Sequence, residues 1–178
     1  RLTCVDKANV FRSQAFFRTL FDETAARHPG IESGYSYVDA MALDMVRQPW
    51  EFDVMVMENM FGDILSDLAG GLVGGMGMAA CGEIGDANGL FQPAHGSAPD
   101  IAGQDRANPL AAILSGAMML DYLAGRCGLE SYATAARLIE DEVEAGFAAN
   151  ALRPMEFGGD MGTDAVTRDL LDRVRSGG

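Results

Sequence analysis

The sequence predicts an α/β fold, and three observations carry that prediction. Short apolar runs bounded by turn residues alternate with segments whose apolar residues recur at helical spacing. One run, Phe52-Asp53-Val54-Met55-Val56-Met57, is nearly continuous, as expected for a strand covered on both faces of a parallel sheet. Hydrophobic residues make up 48% of the 178 positions against 22% charged, a balance that fits a packed core and excludes a disordered chain.

The elements follow in order. Arg1 to Val10 reads as a strand ending in polar residues, with Lys7 at its carboxyl end. Ser13 to Arg27 is an amphipathic helix whose stripe is Phe16, Phe17, Leu20 and Phe21, stopped by His28-Pro29-Gly30. Ile31 to Tyr37 is extended, and Val38 to Arg47 is a second helix ended by Pro49. The Phe52 strand leads through Glu58-Asn59 into a third helix, Phe61 to Leu68. Gly70, Gly71, Gly74, Gly75, Gly77, Gly82, Gly85 and Gly89 follow, interspersed with Leu72, Val73, Met76, Met78, Ala79 and Ala80. That mixture predicts a buried strand or crossing segment, with a change of domain near Gly74. Asn108-Pro109 opens an apolar core helix to about Ala124. Glu130 to Asn150 is amphipathic, its acidic residues forming a solvated face, and the last helix starts at Thr163 as N-cap and buries Val166, Leu170 and Val174.

Charge and composition exclude several functions. A net charge of −13 and a pI near 4.4, with scattered arginines, leave no basic face for nucleic acid. No apolar stretch approaches the ~20 residues needed to span a bilayer, and nothing resembles a signal peptide. Cys4, Cys81 and Cys127 lack C-x-x-C spacing and are expected to be reduced thiols of a cytoplasmic protein. Only His28 and His95 are available, so a bound metal is expected to be a hard cation on carboxylates. The first residue is Arg1, which leads us to expect an N-terminus cut from something longer.

Four motifs carry chemistry. Lys7 is the only lysine beside twelve arginines, either a surface lysine left by codon bias or a group that exchanges a proton, which an arginine cannot. In Phe61-Gly62-Asp63-Ile64-Leu65-Ser66-Asp67, two aspartates at i, i+4 lie on one helix face with Cβ atoms roughly 5–6 Å apart. They repel unless a cation such as Mg²⁺ or Mn²⁺ lies between them; the alternative is two solvated aspartates favoured by the helix dipole. Gln92-Pro93-Ala94-His95-Gly96-Ser97-Ala98-Pro99-Asp100-Ile101-Ala102-Gly103, followed by Asn108-Pro109, has small residues that let backbone approach a ligand. Asp100 there can accept hydrogen bonds from ribose hydroxyls and would repel a 2′-phosphate, favouring NAD over NADP. In Tyr37-Val38-Asp39-Ala40-Met41 an acid opens a helix, as an N-cap or as a ligand.

These strings, in this order and with the late Gly158-Gly159…Gly162-Thr163, resemble the isocitrate/isopropylmalate dehydrogenase family of NAD(P)-dependent β-decarboxylating dehydrogenases over essentially the whole length. Val5-Asp6-Lys7-Ala8-Asn9-Val10 is most similar to the isopropylmalate branch; isocitrate and homoisocitrate relatives usually carry histidine where Asp6 stands. The resemblance implies the C-terminal portion of an isopropylmalate dehydrogenase-like fold. Residues 1–73 would belong to the substrate and dimerisation domain and residues 74–178 to the nucleotide-binding domain. It also implies Asp63, Asp67 and Asp39 as Mg²⁺ or Mn²⁺ ligands, with Lys7 and Asp39 as catalytic residues that serve the neighbouring subunit of a homodimer. Val10 would lie near the substrate's branched side chain and Asn9 near the nicotinamide. His95, Gly96, Ser97, Ala98, Pro99, Asp100, Ile101, Ala102, Gly103 and Asn108 would hold the adenosine of NAD.

The reaction so implied is NAD-dependent oxidative decarboxylation of 3-isopropylmalate to 4-methyl-2-oxopentanoate and CO₂, a step of leucine biosynthesis, with Lys7 assisting removal of the hydroxyl proton. Gln92 departs from the glutamate of many relatives. The half that carries the carboxylate-gripping arginines and the enolate-protonating tyrosine in the family has no counterpart in this sequence, so the chain alone is expected to turn over little. Two alternatives stand beside this reading: a tartrate/malate, isocitrate or homoisocitrate dehydrogenase, and a non-catalytic dimerisation or regulatory remnant.

Overall fold

The structure is a computed structural model that describes residues 1–177. It divides into two compact units, Arg1–Leu72 and a second from Val73 onward.

The first unit runs β1 (Leu2–Asp6), α1 (Arg12–Ala25), β2 (Ser33–Tyr37), α2 (Val38–Arg47), β3 (Val54–Val56) and α3 (Asn59–Leu72). Its sheet has the order β2-β1-β3 and is parallel throughout, with Asp6 opposite Tyr37 and Cys4 opposite Val56. Because the strands are parallel, their carboxyl ends share one edge, and the chain crosses β1 in passing from β2 to β3. That is the switch in strand order at which open α/β sheets form their binding crevices. The central strand is the buried one: Thr3, Cys4, Val5 and Asp6 are all inaccessible. Beside it Val5, Met41, Met45 and Leu65 form a core with Phe52, Met55 and Leu68 packed around them.

Three expectations for this unit are corrected. The Phe52 strand is not covered on both faces: β3 is a short edge strand paired only to β1, and Val54 stays exposed. The α1 stripe is rotated, leaving Phe16 63% and Leu20 44% exposed while Phe21 and Gln14 are buried. The rotation follows from Arg18, whose ion pair with buried Asp6 turns that side of the helix toward β1. The third helix continues past Leu68 through Gly70 and Gly71 to Leu72. Each interior glycine costs about 1 kcal/mol, but the continued hydrogen bonds and the packing of Leu68 and Ala69 offset it.

The second unit comprises β4 (Ala80–Ile84), β5 (Gly89–Pro93), α4 (Leu110–Cys127), α5 (Glu130–Ala148) and α6 (Thr163–Gly177). In place of one buried crossing strand, the glycine-rich stretch forms an antiparallel hairpin with Ala80 opposite Pro93, closed where Gly85 N–H donates to Asn88 O at 2.9 Å. Leu110, Val143, Leu152, Val166 and Leu170 form the core. Contrary to the sequence expectation, α4 is long and apolar enough to cross a membrane by length and composition, with 18 residues and a mean hydropathy of 1.2. It packs against α5 and the β4–β5 hairpin through buried Leu110, Ala111, Ser115 and Ala117, but only 22% of the helix is buried, less than the expected core helix would bury.

Thr163 does not cap α6. Its hydroxyl donates to Ala107 O at 2.6 Å, and the first turn is capped from a distance by Asp105, whose Oδ1 accepts from Asp164 N–H at 2.8 Å. Asp105 holds φ +53°, a left-handed conformation that aspartate tolerates better than most residues.

Candidate active site

In the first unit the candidate residues follow the carboxyl ends of the three parallel strands: Lys7 after β1, Asp39 after β2 and Asp63 after β3. The structure joins two of them. Lys7 Nζ donates to Asp39 Oδ1, with the lysine side chain 22% exposed. That hydrogen bond, helped by the Asp39 and Ala40 backbone N–H groups at the start of α2, holds the Asp39 carboxyl below its ordinary value. The ammonium also lies 5.5 Å from the centre of the Tyr37 ring, within cation–π reach. Asn9 and Val10 are exposed on the turn after β1, where Val10 and Phe11 N–H both donate to Lys7 O at 3.0 Å.

Asp6 is fully buried and is gripped by Arg18, whose Nε and Nη2 reach its two oxygens at 2.7 and 2.9 Å. This pairing keeps the guanidinium more firmly protonated than usual. Burial pushes the adjacent Cys4 thiol up to about 11, and the Asp6 charge adds to the rise. Arg18 was not among the residues singled out from sequence; twelve positions separate it from Asp6, and a surface arginine on an amphipathic helix carries no local signal.

Asp63 and Asp67 are exposed on α3, and Asn59 Nδ2 donates to Asp63 Oδ2 at 3.3 Å. Both carboxylates are solvated, as the alternative to a metal pair expects, though the helix dipole does little to hold them. Glu58 already caps α3, accepting from Met60 and Phe61 N–H at 3.2 Å each, and Asp63 and Asp67 lie beyond the first turn, where the dipole has faded. Two hard, unneutralised carboxylates one turn apart suit Mg²⁺ or Mn²⁺. Among the described residues no three acidic, histidine or cysteine side chains converge on one point, so Asp39 does not join Asp63 and Asp67 within the chain. The two carboxylates therefore fit a hard cation but are joined by no third ligand among the described residues.

In the second unit a cleft of about 570 Å³ is lined by Gly77, His95, Gly96, Ser97, Ala98, Ile101, Asn108 and Glu156, among others. That volume suits a nucleoside-sized ligand. Ala98 sits at φ 43°, a left-handed strain for a residue with a Cβ, and it opens the single turn Pro99–Ile101. Pro99, Asp100, Ala102 and Gly103 continue this loop outside the cleft lining. Glu156 ties the floor together: Oε1 accepts from Gly77 N–H at 3.0 Å and Oε2 from Asn108 Nδ2 at 2.9 Å. A Cβ on Gly77 would fall 2.0 Å from Glu156 Oε2, so only glycine permits this approach. Sequence reading missed Glu156 and Arg106, although the neighbouring Gly158-Gly159 marked the segment. Asn108, whose Oδ1 accepts from Leu110 N–H at 3.2 Å, spends its amide on the scaffold.

Comparison with known proteins places this geometry. The family model for isocitrate/isopropylmalate dehydrogenase matches residues 1–174. The chain is 42% identical over 176 residues to the 3-isopropylmalate/3-methylmalate dehydrogenase of Methanocaldococcus jannaschii, covering 98% of itself and 50% of that protein. It is likewise 42% identical over 175 residues to a probable NAD isocitrate dehydrogenase subunit alpha of Caenorhabditis elegans, covering 98% of itself and 47% of that protein. The crystal structure of isocitrate dehydrogenase from Methylococcus capsulatus superposes with a TM-score of 0.85 at 41% identity, over 98% of this chain and 50% of that one. The chain thus spans about half the length of the curated relatives it matches. By sequence and by fold, it belongs to the isocitrate/isopropylmalate dehydrogenase family of oxidative β-decarboxylating dehydrogenases.

Proposed function

We propose that this chain supplies the proton-handling lysine, the metal carboxylates and the adenosine loop of an NAD-dependent dehydrogenase that converts 3-isopropylmalate to 4-methyl-2-oxopentanoate and CO₂. Residues 1–73 serve as part of the substrate and dimerisation domain and residues 74–178 as part of the nucleotide-binding domain. The observation that carries the reading is the pairing of Lys7 with Asp39 at the carboxyl edge of a parallel sheet.

In its neutral amine form Lys7 would receive the proton of the substrate hydroxyl at Nζ and become an ammonium as the C–H hydride departs. Asp39 holds that nitrogen through Oδ1 and leaves Oδ2 for a cation. Asp63 and Asp67 hold Mg²⁺ or Mn²⁺ together with Asp39 from a neighbouring copy, which accounts for a donor set left incomplete in one chain. The loop from His95 to Gly103, with Asn108, holds the adenosine of NAD⁺. When bound, NAD⁺ would supply the hydride acceptor and the metal a Lewis acid. Val10 and Asn9, exposed beside Lys7, border the substrate's branched side chain and the nicotinamide. An isolated chain turns over little on this reading, since its site needs a second copy and further groups.

A second reading, oxidation of isocitrate, is favoured by one observation: one relative named for isocitrate and one named for 3-isopropylmalate are each 42% identical to this chain over nearly its whole length. The test uses the chain joined to the upstream half of a relative and assayed for NADH formation with each 2-hydroxy acid. Lys7→Met should lower kcat by about 10²–10⁴ with Mn²⁺ affinity retained, the range for loss of a general acid–base group. Asp63→Asn should weaken Mn²⁺ binding instead. Wild-type turnover by Lys7→Met would sink the proposal.

A further inference from the structure

Among the groups left without a part in the proposed reaction is the buried ion pair behind Lys7. Asp6 lies at the end of the central strand with none of its surface exposed, and Arg18 closes on it with both arms of its fork. Burying such a pair rarely adds stability over an apolar pair of similar volume, so its presence asks what it holds in place. From it we infer that Asp6 and Arg18 are positioning residues for Lys7, acting through the Lys7 backbone and the Tyr37 ring.

Two connections lead from the pair to the lysine. Asp6 Oδ1, besides accepting from Arg18, accepts from Ala8 N–H at 2.8 Å and so bridges across Lys7. With Lys7 O accepting from Val10 and Phe11 N–H at 3.0 Å, the lysine backbone is pinned on both sides. The second connection runs through aromatic rings. The Arg18 guanidinium lies 4.6 Å from the Tyr35 ring centre and 5.5 Å from that of Tyr37, the same ring that Lys7 Nζ approaches at 5.5 Å. Tyr35 is tied in turn to α1 by its hydroxyl bond to Asp22. Two cations sharing one ring would repel; Asp6 neutralises the guanidinium and lets the ammonium lie there beside Asp39. Only a planar, bidentate arginine can face the Asp6 carboxylate and the tyrosine rings at once.

A pair that served the fold alone would leave the end of the Lys7 side chain indifferent to it, and this difference is measurable. Lys7 is the only lysine, so lysine-selective ¹³C labelling of this chain yields a single side-chain spin system. The wild type should show Lys7 Cε–Hε protons that are inequivalent, displaced by the Tyr37 ring current and cross-relaxing with that ring. In the Asp6→Asn/Arg18→Met double variant, which removes both charges and leaves neither unpaired, the displacement and the cross-relaxation should be lost while the β1 amide resonances remain those of a folded strand. A folded double variant that keeps the wild-type Lys7 signature overturns the inference. If the double variant does not fold, Arg18→Gln, which retains one donor to Asp6, decides by the same reading. The functional meaning rests on Lys7 being the proton-handling group, but the spectrum does not. Loss of the signature together with full activity of Lys7→Met in the joined enzyme would leave the positioning intact and sink the catalytic role.

Discussion

Replacing Gly77 with alanine should dislodge Glu156 from the floor of the cleft in the second unit. The added Cβ would lie 2.0 Å from Glu156 Oε2 and 2.8 Å from Asn108 Cβ. Asn108 cannot yield, since it is 8% exposed and bonded to the first turn of α4. The Glu156 carboxylate must therefore leave, losing its bonds to Gly77 N–H and Asn108 Nδ2 and stranding a buried N–H. Two net hydrogen bonds at about 1 kcal/mol each, plus the unsatisfied donor, total about 3 kcal/mol. For a unit of this size that corresponds to a fall of roughly 10 °C in melting temperature. The control is Gly116→Ala in the interior of α4, where a Cβ meets nothing within 4 Å. It should stabilise the chain by about 0.5–1 kcal/mol through helix propensity alone. Thermal and urea unfolding followed by circular dichroism measure both. In a Glu156→Ala background Gly77→Ala should cost clearly less than in the wild type, because the displaced carboxylate is already gone and only the 2.8 Å approach to Asn108 Cβ remains. Equal effects of the two alanines, or a Gly77→Ala cost unchanged without Glu156, would refute the reasoning.

Two further outcomes follow from the same kind of accounting. The Cys4 thiol ionises at about 11 in the fold against 9.0 ordinarily, so between those values the native state keeps a proton that the unfolded chain has lost. Stability should then fall as pH rises through that window, by about 3 kcal/mol in all, and Cys4→Ala should flatten that part of a pH series of urea midpoints. Asp105→Ala should cost about 1 kcal/mol by uncapping α6, whereas Asp105→Asn, which keeps an acceptor and tolerates φ +53°, should stay within about 0.5 kcal/mol of wild type in the same unfolding assay.

Much of the fold was legible because its signals are local. The bounds of α2, with Pro49 just beyond its end, match Val38–Arg47 residue for residue, whereas α4 runs past the expected Ala124 to Cys127, where Gly128 ends it in a left-handed cap. The glycine-rich stretch misled because glycine permits a turn, a strand or a helix equally, so its partition into the end of α3 and a hairpin was decided by packing. The α1 stripe misled because periodicity marks an apolar face without saying which side meets the sheet, and the Asp6–Arg18 pair chose that side. At the candidate site, the motif strings drew notice to Lys7, the Asp63/Asp67 pair and the His95 loop by residue type and spacing, while their roles and that of Asp39 came from the family resemblance. They gave no sign of Arg18 or Glu156, whose partners lie 12 to 79 positions away.

The sequence by itself determined the α/β alternation, the order of the motifs and the chemical kinds of group on offer: one lysine, a helical pair of aspartates, a small-residue loop. Those properties live within a few residues of one another, where backbone preference and side-chain spacing act directly. Tertiary structure alone decided which of those groups meet. It joined Lys7 to Asp39 across 32 positions, buried Asp6 under Arg18, and left Asp63 and Asp67 without a third carboxylate among the described residues. The physical reason is that strand register and helix rotation, which set these encounters, come from the packing of the unit as a whole, and no single segment encodes them.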